Sequence, residues 1–427
     1  MKRVGVCVVA ALVVGVVASS VAAEENTGVI VTDDAGALHI NSSGPLTQPV
    51  LLNGQDVLST IKAQAGMIEE QASIYQHLKS TLSELQQLNK EQGGVISSLE
   101  QDLCRLQEPK LTWVQGSGAD FAKWSDGVLA PNGRIYGVPF HATTVLIINP
   151  ATNTLDTTTI TGLPLDSHKW HGGVLAPNND IIYCLPSHHD SVLKIDPATN
   201  TADWTTVTGA GSATNKFYGG VVGNNGLIYG IPYSAAFVLI IDPTTDTMDR
   251  STLSGFSAQA GKWVGGVVVP DGRIFCTPHN AGSVLIISPD TNTFDTTSIG
   301  GFDVGTKWHG EVLANNGLIY GIPRYSDSVL ILDPEAMTAD TTSIAGLSGT
   351  DKWVGGVLAA NGKVVGVPYN SDAVLVVDPE TNATDTTSLT GLGSSSNQYR
   401  SGVLAPNGLI YAIPFSVSSM LVIDVGC

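Results

Sequence analysis

The chain has 427 residues, 14% charged and 43% hydrophobic, with 47 glycines and only 6% aromatics. Twenty lysines and arginines against 38 acids leave a net charge of −18, which excludes a nucleic-acid surface built on clustered cations. The glycine content points to a turn-rich chain rather than a helical enzyme, the lack of a three-residue glycine period excludes collagen, and length alone suggests roughly two to three domains.

Residues 1–23 read as a secretory signal. Lys2 and Arg3 precede an apolar run from Val4 to Val17, and the small residues Ser19, Ser20, Ala22 and Ala23 follow. The run is short for a membrane span, with a retained signal anchor as the alternative. Cleavage after Ala23 removes two cations and no acid, so the charge moves from −18 to −20. The mature chain is then expected to be secreted or on the cell surface, with no membrane span, and the sequons at Asn41 and Asn382 become glycosylation sites in a eukaryotic cell. Residues 24–53 alternate around Gly-Val-Ile-Val and suggest a short β-rich segment.

Residues 54–108 carry a 4,3 apolar spacing. The seam runs Val57, Ile61, Gln64, Ile68, Gln71, Tyr75, Leu78, Leu82, Leu85, Asn89, Gln92, Ile96, Leu99, Leu103, Leu106, with eleven of fifteen positions apolar. A 3.5-residue period asks for a supercoiled partner, so an α-helical coiled-coil stalk about 75 Å long and a homo-oligomer are expected, a trimer in preference to a dimer. Gly93 and Gly94 predict a soft joint.

From residue 109 to the C-terminus one unit recurs. Its anchors are Trp124, Trp170, Phe217, Trp263, Trp308, Trp353 and Tyr399, spaced by 46, 47, 46, 45, 45 and 46 residues. Each unit holds four short strand-like stretches separated by Pro-Asn-Gly and Asp-Pro-x-Thr-Asn-Thr turns. Four strands in about 45 residues make a β-propeller blade, so residues 111–427 are expected to form an all-β seven-bladed β-propeller. Segments such as VLAPNGRIYGVP at 128–139 and VLIINPATNT at 145–154 resemble the YVTN/NHL-type propeller repeat. The resemblance covers about three quarters of the chain; it implies the fold and leaves the activity open, because that repeat serves many functions.

The last unit stops one strand short, and residues 111–115 can supply the missing strand and close the ring. That closure places residues near 104–107 beside Cys427, predicting a Cys104–Cys427 disulfide, with an interchain Cys104 bond as the alternative. Cys184 and Cys276 replace a repeat glycine in non-neighbouring blades and read as buried free thiols.

Function is sought where the repeat is broken. By propeller topology His141, His168, His171, His188, His189, His279 and His309 share one face. Glu311 replaces an inner-strand glycine, with His309 and the lysines as its available partners, and Arg400 stands at the His171-type place in blade 7. Beside them runs a lysine column, Lys123, Lys169, Lys216, Lys262, Lys307 and Lys352, with Gln398 in the seventh position.

Three readings compete for that face. It is a surface where lysines attract an anion and rings stack on sugars; or a hydrolase or lyase site in which His171, His309 and Glu311 hold a divalent ion; or a structural column whose lysines pack their stems on aromatics and keep their heads in water. Asp196, Asn200 and Asp203 suggest calcium, but Asx-turn hydrogen bonding explains the same residues and is the reading preferred, because the pattern recurs in every complete blade. No nucleophile elbow, P-loop or dinucleotide fingerprint occurs, so no cofactor is implied. The expectation is a secreted or cell-surface adhesive or structural protein, whose oligomeric stalk presents propeller heads to a glycan, anionic polymer or partner protein.

Overall fold

In the computed structural model, residues 29–32, 38–41, 51–52, 55–105 and 108–426, except 258 and 394, are described. The signal segment and the Cys104–Cys427 pairing lie outside what is described. The chain divides into two compact units, Met1–Leu99 and Glu100–Cys427.

The first unit opens with β1 (Val29–Thr32) paired antiparallel to β2 (Leu38–Asn41), Val29 facing Asn41 and Thr32 facing Leu38. Two-residue strands β3 (Leu51–Leu52) and β4 (Gln55–Asp56) pair next. Helix α1 (Val57–Arg105) then runs unbroken for 49 residues. Gly93 and Gly94 lie inside it without interrupting it, so the expected joint is not a break in the helix. The seam residues Ile68, Tyr75, Leu78, Leu82, Leu85 and Ile96 are all more than half exposed. No helix among the described residues is long and apolar enough to cross a membrane.

The second unit is a seven-bladed β-propeller. Blade 1 consists of β6 (Trp124–Leu129), β7 (Ile135–Pro139), β8 (Leu146–Asn149) and β9 (Thr154–Asp156), antiparallel and ordered from inside to outside. Five further blades repeat that order. The last blade has three strands of its own and takes β5 (Lys110–Gln115) as its outermost, with Leu111 opposite Ile423 and Gln115 opposite Ser419. The expected ring closure is therefore observed, one residue longer than the 111–115 read from the repeat.

Burial follows from the blade geometry. Second strands such as Ile-Tyr-Gly-Val-Pro at 135–139 are covered on both faces and are apolar throughout. Seven apolar clusters occupy the seven blade interfaces. In one, Trp170 packs with Ile182 and Leu193 of its own blade against Val128, Tyr136 and Val138 of the preceding one. The cluster joining Ala405, Tyr411 and Met420 to Trp124 and Ile135 is the interface that shuts the ring. Cys184 and Cys276 lie in these interfaces, buried and free.

Each interface also carries hydrogen bonds. Tyr136 Oη donates to Asn200 Oδ1 of the next blade at 2.8 Å, and Tyr183 Oη donates to Asp246 Oδ1 of the blade after its own at 3.0 Å. The Asp-Pro turns are Asx turns: Asp196 accepts from Ala198 N at 2.8 Å and Thr199 Oγ1 at 2.8 Å. Asn200 is spent on Tyr136, so the calcium reading of Asp196, Asn200 and Asp203 gives way to turn bonding. Asn382 occupies the same turn in blade 6, exposed, at φ 54°.

Candidate functional site

Every inner strand bulges between its aromatic anchor and the glycines that follow, as at Trp170/Gly173 and Trp308/Glu311. A bulge re-aims the side chain it carries. Here it turns the residue after the anchor toward the propeller axis, giving the ring Ser125, His171, Tyr218, Val264, His309, Val354 and Arg400. Contacts between non-adjacent blades establish the direction: His171 of blade 2 lies 6.2 Å, centroid to centroid, from His309 of blade 5. The guanidinium of Arg400 in blade 7 lies 5.8 Å from the Tyr218 ring of blade 3.

The bulge brings glycine backbones together just below. Gly172 has φ 83°, and a Cβ there would sit 2.5 Å from Gly219 Cα, so no other residue fits. Above the axial ring, the residue after each second-strand proline forms a second ring: Phe140, Ser187, Tyr233, His279, Arg324, Tyr369 and Phe415. Phe140, Tyr369, Phe415 and Val354 pack into one apolar cluster spanning blades 1, 6 and 7.

The histidines divide by environment. His171 stacks on Tyr218 at 3.9 Å and is 5% exposed; His309 meets His279 edge-on at 5.6 Å and is 4% exposed. Among the described residues, neither ring nitrogen of His171 or His309 has a hydrogen-bond partner. Burial first, then the positive guanidiniums of Arg400 and Arg324, hold both far below the ordinary histidine pKa. His279 donates Nδ1–H to Trp308 O at 2.8 Å and, through burial, is lowered to about 4. His168 is lowered to about 4 and His141 in the same direction, again chiefly by burial. These imidazoles are neutral at pH 7, each offering one donor and one acceptor.

A rim chain joins several of them. His141 Nε2 and His168 Nδ1 are 3.2 Å apart, His168 stacks on His188 at 4.7 Å, and His188 Nε2 and Tyr218 Oη both reach Asn215 Oδ1 at 3.0 Å. The adjacent pair separates: His188 joins this chain, whereas His189 packs on Trp170 at 5.0 Å and bonds Ser191 Oγ at 2.9 Å.

The lysine column corrects the sequence expectation on one of its two counts. The stems do lie by the anchors, with Lys123 Nζ 5.7 Å from the Trp124 ring. The heads, however, are not in water. Lys123, Lys169, Lys216, Lys262 and Lys352 are at most 5% exposed. Lys216 Nζ donates to Ser187 O and His189 O of the preceding blade, both at 3.0 Å, and to Ala213 O at 2.9 Å. Lys307, half-buried, reaches four carbonyls, whereas Gln398 Nε2 at the same repeat position donates only to Gly393 O and Ser395 O of the loop just before it. Lys123, Lys169 and Lys307 are therefore staples between blades, spent before any ligand arrives.

Arg324 is paired, its Nε 2.6 Å from Asp351 Oδ1. Arg400 has no carboxylate partner and no hydrogen bond among the described residues. It rests on Phe415 at 4.8 Å, Phe140 at 5.5 Å and Tyr218 at 5.8 Å, with Nε buried and unpartnered. The mouth is thus not basic in general; it holds one uncompensated cation among neutral rings.

Two carboxyls lie lower on the inner strands. Glu311 packs across Gly265, where an added Cβ would strike its carboxylate, and burial raises it to about 8, partly offset by Thr277. Its Oε2 is unpartnered. Neither His309 nor a lysine pairs with it, contrary to expectation. Sequence reading missed Asp126, which occupies the glycine column one position earlier in blade 1. Asp126 accepts from Ser401 Oγ at 2.6 Å, Gly127 N at 2.8 Å and Gly173 N at 3.0 Å, tying blades 7, 1 and 2 together. Among the described residues no three His, Cys, Asp or Glu side chains converge on a metal position, so His171, His309 and Glu311 do not form the ion site considered above. Beside His141, a groove of about 420 Å³ opens between Phe121, Asp120 and Thr144.

Neither a protein-family model nor a curated protein matches the chain. Among solved structures, it is similar to a catalytically inactive virginiamycin B lyase from Staphylococcus aureus with quinupristin, with TM-score 0.59, 10% identity, and coverage of 74% of this chain and 99% of that one. It is similar to the extracellular domain of a hybrid two-component system protein from B. thetaiotaomicron, at TM-score 0.56 and 10% identity over 75% of this chain and 43% of that one. The WD40 β-propeller domain of Doa1 follows at TM-score 0.54 and 13% identity, over 74% and 97%. Identities this low carry the propeller fold and nothing further.

Proposed function

We propose that this protein is a secreted or cell-surface binding protein, self-associated through α1, whose propeller heads engage an extracellular glycan or partner at the channel mouth. The observation that carries the reading is the pair His171 and His309, buried on the axis with all four ring nitrogens unpartnered. Buried polar groups that lack partners cost free energy, and such a cost is sustained where a ligand supplies the missing bonds. The aromatic rings around them offer stacking faces to sugars, and an oligomer of heads would add avidity. The apolar seam of α1, exposed in the single chain, supports self-association.

The test is binding of the mature, full-length protein to arrays of extracellular glycans, polyanions and matrix proteins, repeated with Tyr233→Ala and His188→Ala. Loss of a wild-type signal in these variants supports the reading; a signal they leave unchanged places binding elsewhere and overturns it. A second reading, a lyase or hydrolase at the same mouth, is favoured by Glu311, a carboxyl raised to about 8 on the strand that also carries His309. Such a group is protonated at neutral pH and able to act as a general acid. Turnover of a bound glycan, abolished in Glu311→Gln, would replace binding by catalysis.

A further inference from the structure

An arginine on the axis of a ring needs a reason. Arg400 brings a full positive charge into the centre of the mouth, where its neighbours are the faces of Phe140, Phe415 and Tyr218. Aromatic faces attract a cation but satisfy none of its N–H groups. Its counterpart Arg324 shows what a satisfied guanidinium looks like here, since Asp351 holds it at 2.6 Å. No carboxylate does so for Arg400. The surrounding side chains have donors to spare as well: the N–H of His171 and the N–H of His309 lack partners among the described residues.

We infer that the centre of the channel mouth receives the single anionic substituent, a carboxylate or sulfate ester, of an acidic sugar, seated on Arg400 with the N–H groups of His171 and His309 beside it. This rests on the mouth being the ligand-binding face. A guanidinium's planar fork matches such a group in a bidentate way that a lysine would not. The sugar ring has its own platform. Phe121, 60% exposed, lies 6.1 Å from Phe415, whose face carries Arg400, so an exposed stacking surface and the cation are separated by one ring contact. The net charge of the body repels a densely charged polymer, and the lysines that might have offset it are bound to carbonyls. One anionic group is therefore the fitting ligand, and a polyanion is not.

The experiment is calorimetric titration of the full-length protein with glucuronate, glucose 6-sulfate, glucose and acetate, for wild type, Arg400→Gln and Arg400→Lys. Wild type is expected to bind glucuronate or the sulfate ester at least about tenfold more tightly than glucose and than acetate, with the preferred ester or acid naming the substituent. Arg400→Gln is expected to lose that preference, and Arg400→Lys to keep a fraction of it. Unchanged thermal unfolding of the variants shows that they are folded; should Arg400→Gln not fold, Phe121→Ala tests the same seat by weakening the acidic sugar and leaving acetate alone. Equal binding of glucose and glucuronate, or an Arg400→Gln protein with wild-type preference, overturns the inference. If Arg400→Gln still binds the array ligand that Tyr233→Ala loses, the anionic seat falls while the binding face stands.

Discussion

The lysine column yields the most exacting prediction, because the repeat contains its own control. Lys216 is 1% exposed and its ammonium makes three bonds of 2.9–3.0 Å to carbonyls, two of them on the neighbouring blade. Hydrogen bonds to a charged donor contribute about 1.5–3 kcal/mol each. Three that share one cation do not add fully, so Lys216→Met should cost about 4 kcal/mol. Ser187 O keeps a partner in the Lys216 backbone N–H at 3.1 Å; the other two carbonyls keep none from this residue. Lys216→Gln should cost about 2–3 kcal/mol, since a side-chain amide can reach carbonyls of its own preceding loop, as Gln398 does at 2.9 and 3.1 Å, but loses the bonds to the neighbouring blade. In thermal unfolding at pH 7 the Met variant should melt roughly 6–10 °C below wild type, with the Gln variant in between. Amine acylation of the native protein should spare Lys216 and modify exposed lysines of α1 such as Lys79. A Met variant as stable as wild type would refute the staple, because the desolvation of the ammonium would then cancel its bonds and the column would need another explanation.

Glu311 gives a pH signature. Its folded pKa, raised from 4.5 to about 8, lies above the unfolded value, so its contribution is complete below about pH 4.5 and is lost as pH rises through 8. Glu311→Gln should match wild type near pH 5 and exceed it in stability at pH 9; parallel pH–stability curves would contradict the burial argument. For the stalk, Leu82→Asp in the exposed seam should convert an oligomer to a monomer in analytical sedimentation, and a wild-type monomer would remove the self-association reading. Non-reducing peptide mapping should find a Cys104–Cys427 peptide, with Cys184 and Cys276 unreactive toward thiol reagents until the propeller unfolds; Cys104 linked to another Cys104 would replace ring closure by an interchain bond.

The architecture was legible because it repeats. Anchors at intervals of 45–47 residues gave seven blades, and a last unit one strand short pointed to β5 as its completion. A fold built of identical interfaces writes each interface seven times, and repetition is what a sequence displays best. The role of the lysines was not legible from their own column, since whether Nζ meets water or a neighbouring carbonyl is decided by the blade next door. The clue lay in the exception: an amide at Gln398 among six lysines says that the position calls for a long side chain with a hydrogen-bond donor at its tip. Asp126 stands in the sequence as a break in the glycine column, but its bonds to Ser401 and Gly173 come from two other blades and leave no local mark. The isolation of Arg400 could not be seen at all, since it depends on which side chains reach the axis from blades far away in sequence.

The axial ring shows why departures from the repeat carry the functional argument. Seven inner strands with the same bulge present the same space to the residue after the anchor, so a packing role alone would favour one residue type, as it does at the anchors and in the lysine column. Instead that position holds serine, histidine, tyrosine, valine, histidine, valine and arginine. The polar members come from blades 1, 2, 3, 5 and 7, yet His171 and His309 meet across the axis and Arg400 reaches Tyr218. Apolar packing across the axis accounts for Val354 with Phe140, Tyr369 and Phe415, but it does not call for polar side chains at the same level. An unpaired guanidinium and two unpartnered imidazoles at that position are what the proposed ligand at the axis would account for, and the Arg400 and Tyr233 variants decide whether it does.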